Sequence, residues 1–288
     1  MAWFSIDGAL CMNWTIANLK AATPAAQRIA LESLPTTTPQ SAALELLEQA
    51  IFNLHPNLQL EAVRVADRFG PNGVPILVKA LGHREQNVRR EAAARLGKLG
   101  TVAAPAVPAL VTALRDPCIR VRMAATVSAG SIGPAATAAI EPLAHVLKGT
   151  NLILGRLAAQ ALSRIGIPAV PILVGGLRSP DPYVRREAAW ALGEVGPVLR
   201  RGNKGSIPAL PPALSGTQAN VGSVSNGEQL TVPMKVTAIV ASGANIKPAL
   251  AVEEAVPELT RALRDVDSKV REAAGLALAR IYEVAIAR

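Results

Sequence analysis

Aromatic residues make up only 3% of this 288-residue chain. A core of stacked rings is therefore excluded, and Ala, Leu and Val carry most of a 50% apolar share, a composition suited to helices packed closely through small side chains. Cys11 and Cys118 are the only cysteines; two are too few for a disulfide framework and are not clustered as a zinc site requires, so a reducing cytoplasm is the expected setting. No uninterrupted apolar run of about 18 residues occurs, and Met1-Ala2-Trp3-Phe4 offers no basic stretch ahead of an apolar one, so neither a membrane span nor secretion is expected. Phosphate-binding loops, dinucleotide fingerprints and nucleophile elbows are missing. His55, His83 and His145 fall in or near turns, where solvation is the expectation, and none is paired with Cys or a carboxylate at metal spacing. No catalytic residue, metal site or resident cofactor is expected.

Acidic charge is scarce in one region only. The formal charge is +9, but residues 1–54 hold 2 Lys/Arg against 4 Asp/Glu, residues 55–204 hold 20 against 9, and residues 205–288 hold 8 against 8. The middle carries the whole excess, which predicts attraction to an acidic surface, whether protein, nucleic acid or anionic lipid.

What the chain has is a repeat. The segment Val88–Gly100 recurs as Val121–Gly133, Leu154–Gly166, Val184–Gly196 and Val270–Tyr282, with a weaker copy at Leu58–Gly70. The closing glycines are 30, 33, 33 and 30 residues apart, a period that one globular unit has no reason to keep. Within each copy the first, fifth, ninth and twelfth residues are apolar (Val184, Ala188, Leu192, Val195), which is one face of a helix, and the closing Gly suits the residue past a helix C-terminus. Upstream lies a second helix signature with Pro75, Pro108, Pro142, Pro171 or Pro257 near its start, where a missing N–H costs nothing. Each unit reads as helix A, a short polar turn and helix B. Because neither helix buries its stripe alone, the hairpins must stack, and the fold class expected is an all-α, right-handed α-solenoid whose concave wall is the row of B helices.

The pattern Asp-Pro-x-Val-Arg-x-x-Ala-Ala-x-Ala-Leu-Gly-x-Val-Gly at Asp181–Gly196 resembles the HEAT-like repeat of the phycobilin lyase superfamily, over roughly residues 55–196 and 255–284. The Thr-Pro-Leu-His signature of ankyrin repeats, which share the period, is absent. The resemblance implies that Arg89, Arg122, Arg185 and Arg271 form an inter-repeat ladder with turn aspartates such as Asp116 and Asp181. It also implies a phycobiliprotein or phycobilisome component as one candidate partner.

Four regions follow. Residues 1–54 are expected to be degenerate capping hairpins, with helices at Trp14–Ala22, Pro24–Leu34 and Ser41–Phe52 broken by a turn at Pro35–Pro39; Trp3, Phe4 and Trp14 either cover the end of the stack or grip a partner. Residues 55–196 are the HEAT-like repeats. Residues 197–254, rich in Gly, Ser, Asn and Pro, form an irregular insertion in which Thr231–Val240 alternates enough for a short strand or hairpin. Residues 255–288 complete the last repeat.

If positions one, five, nine and twelve face the core, positions three, seven and eleven point away from it. That stripe reads Leu60, Arg64, Arg68; Arg90, Ala94, Lys98; Met123, Val127, Ser131; Arg156, Gln160, Arg164; Arg186, Trp190, Glu194; and Glu272, Leu276, Arg280. Its first five helices hold seven positive charges and one negative. The partner-binding residues expected are Arg64, Arg68, Arg90, Lys98, Arg156, Arg164, Arg186 and Trp190, with Trp190 either an interface anchor or a packing partner of the insertion. The leading expectation is a non-catalytic scaffold that binds an acidic protein. The alternative implied by the resemblance is one subunit of a hetero-oligomeric E/F-type bilin lyase. In it Arg156, Arg164 and Arg186 would pair with the propionates of transiently bound phycocyanobilin, and Trp190 would stack on a ring. Nucleic acid is disfavoured by the single aromatic side chain on the stripe.

Overall fold

The computed structural model describes residues 3–6, 9–12, 15–37, 40–202 and 250–286. They fall into two compact units, Met1–Ala139 and Ile140–Arg288. Among the described residues the fold is all-α apart from one hairpin at the start of the chain.

Unit 1 opens with β1 (Trp3–Ile6) and β2 (Ala9–Met12), antiparallel with Phe4 opposite Cys11. This hairpin departs from the all-helical expectation for the N-terminal region. The two residues between its strands are Asp7 and Gly8, the dipeptide that favours two-residue hairpin turns. Helices α1 (Ile16–Ala21), α2 (Pro24–Thr37) and α3 (Gln40–Asn53) follow. Pro35–Thr37, expected to be part of a turn, are instead the end of α2. Three B helices, α4 (Pro56–Ala66), α6 (Gln86–Leu99) and α8 (Ile119–Ile132), pack side by side, with the short A helices α5 (Val74–Ala80) and α7 (Val107–Ala113) against them.

Unit 2 repeats the arrangement with A helices α9 (Ile140–Leu147), α11 (Val170–Gly176) and α13 (Leu250–Ala262) and B helices α10 (Leu152–Ile165), α12 (Pro182–Gly202) and α14 (Ser268–Ile286). The last hairpin docks directly on the one before it: α14 packs on α12 and α13 on α11. Two boundaries differ from expectation. Helix α12 runs through Pro197 to Gly202 instead of stopping at Gly196. Pro257 lies inside α13 rather than in a first turn, because residues 250–256 are continuous α-helix here, whereas Pro75, Pro108 and Pro171 sit at the start of their helices after 3-10 segments. The strand expected at Thr231–Val240 lies outside the described residues.

The core follows the repeat. Val121, Ala125, Ala129 and Ile132 are fully buried, as are Ala158, Leu162 and Ile165, and Val184, Ala188, Leu192 and Val195 are exposed by 2% or less. After B helices the chain turns at Gly70, Gly100, Gly133 and Gly166, whose φ of +56°, +59°, +72° and +86° is open to glycine at little cost. Close helix approach also needs glycine: a Cβ on Gly97 would lie 2.6 Å from Ser128 Oγ, and one on Gly193 2.8 Å from Ala277 Cα. These contacts bring α6 against α8 and α12 against α14 and hold the outer stripe of each unit in a fixed arrangement.

The segments Gln86–Ala113 and Ile119–Leu147 are long and apolar enough to cross a membrane by length and composition alone. Each is interrupted, however, by a positive-φ glycine, Gly100 or Gly133, and a 3-10 segment between a B helix and the next A helix.

Candidate functional site

Every stripe position is exposed or half-buried, and none is sunk between layers. The arginines at the second helix position behave differently. Arg89 donates to both carboxylate oxygens of Asp116 at 2.7 and 3.0 Å, and Arg185 to both of Asp265 at 2.7 and 2.8 Å. In each case the remaining guanidinium nitrogen closes the arginine's own turn, Arg89 on the His83 and Arg84 carbonyls and Arg185 on those of Ser179 and Pro180. The bidentate hydrogen bonds hold the Asp116 and Asp265 carboxyls below the ordinary carboxylate range. These arginines are structural staples between successive hairpins.

The ladder implied by the resemblance needs correction at Asp181, Arg122 and Arg271, the last of which closes its own turn on the Asp265 and Val266 carbonyls and meets no carboxylate among the described residues. Asp181 does not hold an arginine; it accepts the Tyr183 N–H and caps α12. Arg122 closes its own turn on the Asp116 and Pro117 carbonyls and meets no carboxylate among the described residues, since the place of Asp116 in the following hairpin is taken by Gly149. In α10 the ladder arginine itself is replaced by Gly155. A Cβ there would lie 3.1 Å from Tyr183 Cε1 and 3.2 Å from the Leu147 carbonyl oxygen. Tyr183, from the next hairpin, fills that space and donates its hydroxyl to the Leu152 carbonyl; burial pushes its phenol up.

His83 is a further correction. His55 and His145 are exposed, but His83 is buried, tilted against Phe52 at a centroid distance of 5.4 Å, and its Nδ1 accepts the Glu85 N–H. Burial, helped by Arg84, lowers its pKa from the ordinary value. Its neighbours make it a packing residue. Among the described residues no group of three or more His, Cys, Asp or Glu converges on a point where a metal could bind.

The basic stripe divides by unit. In unit 1 most of it is met by carboxylates of the same unit. Arg64 donates to Glu61 at 2.8 Å and to Glu91 at 3.2 Å. Lys98 donates to Asp67 at 2.8 Å, Arg68 reaches the Glu32 carbonyl, and Arg90 lies 3.9 Å from Glu91. Arg95 completes the network, bonding Glu91 at 2.7 and 2.9 Å and Asp67 at 3.2 Å. Glu91 is only 8% exposed; burial pushes its carboxyl up, but Arg95 and then Arg64 outweigh that and bring it below the usual range. Reading the stripe from sequence missed Asp67, Glu91 and Arg95. The spacing Glu91–Arg95, one helical turn, was the available signal.

In unit 2 the same lattice positions hold different residues. Gln160 stands where unit 1 has Arg64, Ser163 where it has Asp67, Ala191 where it has Arg95, and Glu194 where it has Lys98. Glu187, the counterpart of Glu91, holds only Arg186, at 2.8 Å, and that guanidinium lies 5.1 Å over the Tyr183 ring. Glu194, the one negative charge on the first five helices of the predicted stripe, is bonded by Arg280 from α14. Arg156 and Arg164 are exposed and make no ion pair or side-chain hydrogen bond among the described residues, and neither does the Gln160 amide between them. Trp190 is half-buried and holds in α12, which packs on α10, the repeat position that Gln160 holds in α10 and Leu276, 43% exposed, in α14.

A separate cleft of about 450 Å³ opens between the turns of the last two hairpins of unit 2. Its Arg178 and Arg261 meet Glu258 at 2.7 and 3.7 Å and its Arg185 meets Asp265. Its basic groups thus serve largely to join the hairpins.

Comparison with known proteins decides the family. Descriptions of HEAT repeats match residues 43–107, 74–163 and 140–221, and one HEAT repeat matches residues 255–285. The chain belongs to the HEAT-repeat family. Among solved structures, this HEAT-repeat chain is similar to the complex of CpcE and CpcF of phycocyanin lyase from Nostoc sp. PCC7120, at 20% identity over 97% of this chain and 99% of that one, with a TM-score of 0.43. It is also similar to a designed armadillo repeat protein in complex with peptide (KR)4, at 18% identity over 90% and 100% of the two chains and a TM-score of 0.43. An engineered protein shows 21% identity over 89% and 97%, again at 0.43. No curated protein matches the chain significantly. The family shown is that of HEAT repeats, and the fold is the stack of helical hairpins described above.

Proposed function

We propose that this HEAT-repeat chain is a non-catalytic protein–protein interaction scaffold whose basic B-helix face binds an acidic protein, and that the face used is that of unit 2. The observation that supports this reading is the pair of exposed arginines, Arg156 and Arg164, without a carboxylate partner among the described residues, with the half-buried Trp190 on the helix α12 that packs on theirs. Free cations attract and orient an acidic partner before contact, and Trp with Arg supplies the kind of anchor that dominates interfaces. Arg64, Arg68 and Lys98, included in the face by the sequence reading, are held within unit 1 and take no part in this proposal. The scaffold acts in the cytoplasm and without a cofactor. A phycobiliprotein is the first acidic protein to try, because the sequence resemblance names it.

The test is capture of purified phycocyanin, alongside an unrelated acidic protein, on the immobilised full-length chain across a salt series. Capture should weaken with salt and be lost when Arg156 and Arg164 are both changed to Glu, with the helical circular dichroism unchanged. Capture that ignores both salt and the double reversal removes the proposal. Adding phycocyanobilin with a bilin-free acceptor should leave the acceptor unlabelled.

A further inference from the structure

We infer that the ligand of the unit 2 face is an extended acidic segment of a partner protein in which two carboxylates flank one apolar residue at alternating positions, acid-x-apolar-x-acid. This inference rests on the reading just proposed and specifies what that face recognises.

The spacing comes from α10. Arg156 and Arg164 lie eight residues apart on one helix face, so their Cα atoms are separated by about 12 Å at the α-helical rise. Carboxylates four residues apart in an extended chain are separated by about 13 Å, and residues i, i+2 and i+4 share one side of it. A chain laid along α10 with its two acids on these arginines therefore turns its central side chain toward the middle of the patch. There Trp190, at the central stripe position of α12, which packs on α10, provides the apolar surface. Arg186, half held by Glu187, adds positive charge at the Arg156 end of the patch.

Conformation is set by Gln160. Its amide lies between the two arginines, carries both donor and acceptor groups, and is not hydrogen-bonded among the described residues. An extended backbone presents unpaired N–H and C=O groups to such an amide, whereas a helix has already bonded its own. Unit 1 cannot host the same segment, because Arg64 stands in place of Gln160 and is itself bonded to Glu61 and Glu91. Nor does the chain's own segment 203–249 suit the site by charge: it holds Lys204, Lys235 and Lys247 against the single Glu228.

The experiment uses the full-length chain and fluorescent peptides in a Gly-Ser background, read by anisotropy at low salt. One peptide carries Glu-Ser-Leu-Ser-Glu, a second the same residues with the two Glu adjacent, a third Ser in place of Leu, and a thymidine 12-mer serves as a polyanion without the pattern. The first peptide should bind at least about tenfold tighter than the second, the third and the 12-mer. Arg156→Glu with Arg164→Glu should abolish that preference, and Gln160→Ala should reduce it. Equal binding of the first two peptides, or preferential binding of the 12-mer, overturns the inference. If all peptides fail while salt-sensitive capture of an acidic protein persists and still needs Arg156 and Arg164, the extended-segment inference is wrong and the scaffold reading stands. If that capture is also insensitive to the arginines, both fall.

Discussion

Units 1 and 2 are built from the same hairpin and present the same stripe, yet their cations have opposite fates. In unit 1, Asp67 and Glu91 are 7% and 8% exposed and gather Arg64, Arg95 and Lys98 into a network. In unit 2 the corresponding places hold Ser163, Glu187, Gln160, Ala191 and Glu194, so Arg156 and Arg164 face solvent without carboxylate partners among the described residues. Counting basic residues along a repeat therefore overstates the binding face. What distinguishes a structural arginine from an available one is whether a neighbouring hairpin supplies a carboxylate within reach.

The largest expected effect comes from opening the unit 1 network. Changing Asp67 to Asn and Glu91 to Gln leaves Arg95 and Lys98 without their carboxylates and Arg64 with Glu61 alone, and should cost about 3 kcal/mol in chemical denaturation. The same variant should gain affinity for acidic protein at unit 1, raising the binding stoichiometry in a titration toward two. A fall in stability with no new binding would show that the available arginines of unit 2 owe their role to something besides lack of partners.

Next in size is the Gly155 position. Gly155→Ala places a methyl 3.1 Å from Tyr183 Cε1 and 3.2 Å from the Leu147 carbonyl, an overpacking expected to cost about 1–2 kcal/mol. Tyr183→Ala should relieve part of that cost in a double-mutant cycle read by thermal unfolding, since the two residues share one space. Strict additivity would contradict the exchange of the ladder arginine for a tyrosine from the next hairpin.

The smallest effect is one the two units share. Asp116 and Asp265 titrate below the usual carboxylate range because Arg89 and Arg185 bond their charged forms. Their contribution to stability is complete above the unfolded-state pKa of about 4 and is lost as the pH falls through the lower folded-state values. Asp116→Asn and Asp265→Asn should each flatten the stability profile below about pH 4 by a similar amount. A profile unchanged by either substitution would remove the staple from the account.

Much of this was legible in sequence because one helix face repeats. Val184, Ala188, Leu192 and Val195 are apolar at helical spacing and are buried, and Gly70, Gly100, Gly133 and Gly166 do mark the turns after B helices. The pairing was not legible, for it depends on which residues of successive hairpins come side by side. Arg89 meets Asp116 27 residues on, while Arg185 meets Asp265 80 residues on, across the intervening segment. Asp181, nearer in sequence, was the natural choice but lies at the helix start and caps it. His83 was hidden for the same reason, since the Phe52 that covers it comes from the preceding hairpin. The β1–β2 hairpin carried its signal in Asp7-Gly8.

The most direct measurement is the salt dependence of binding to one acidic protein by three full-length chains: the natural sequence, Arg156→Gln with Arg164→Gln, and Arg90→Gln with Lys98→Gln. The unit 2 pair should weaken binding and flatten its dependence on ionic strength, while the unit 1 pair leaves both within about twofold of the natural chain. Equal losses from the two pairs, or a larger loss from the unit 1 pair, would contradict it.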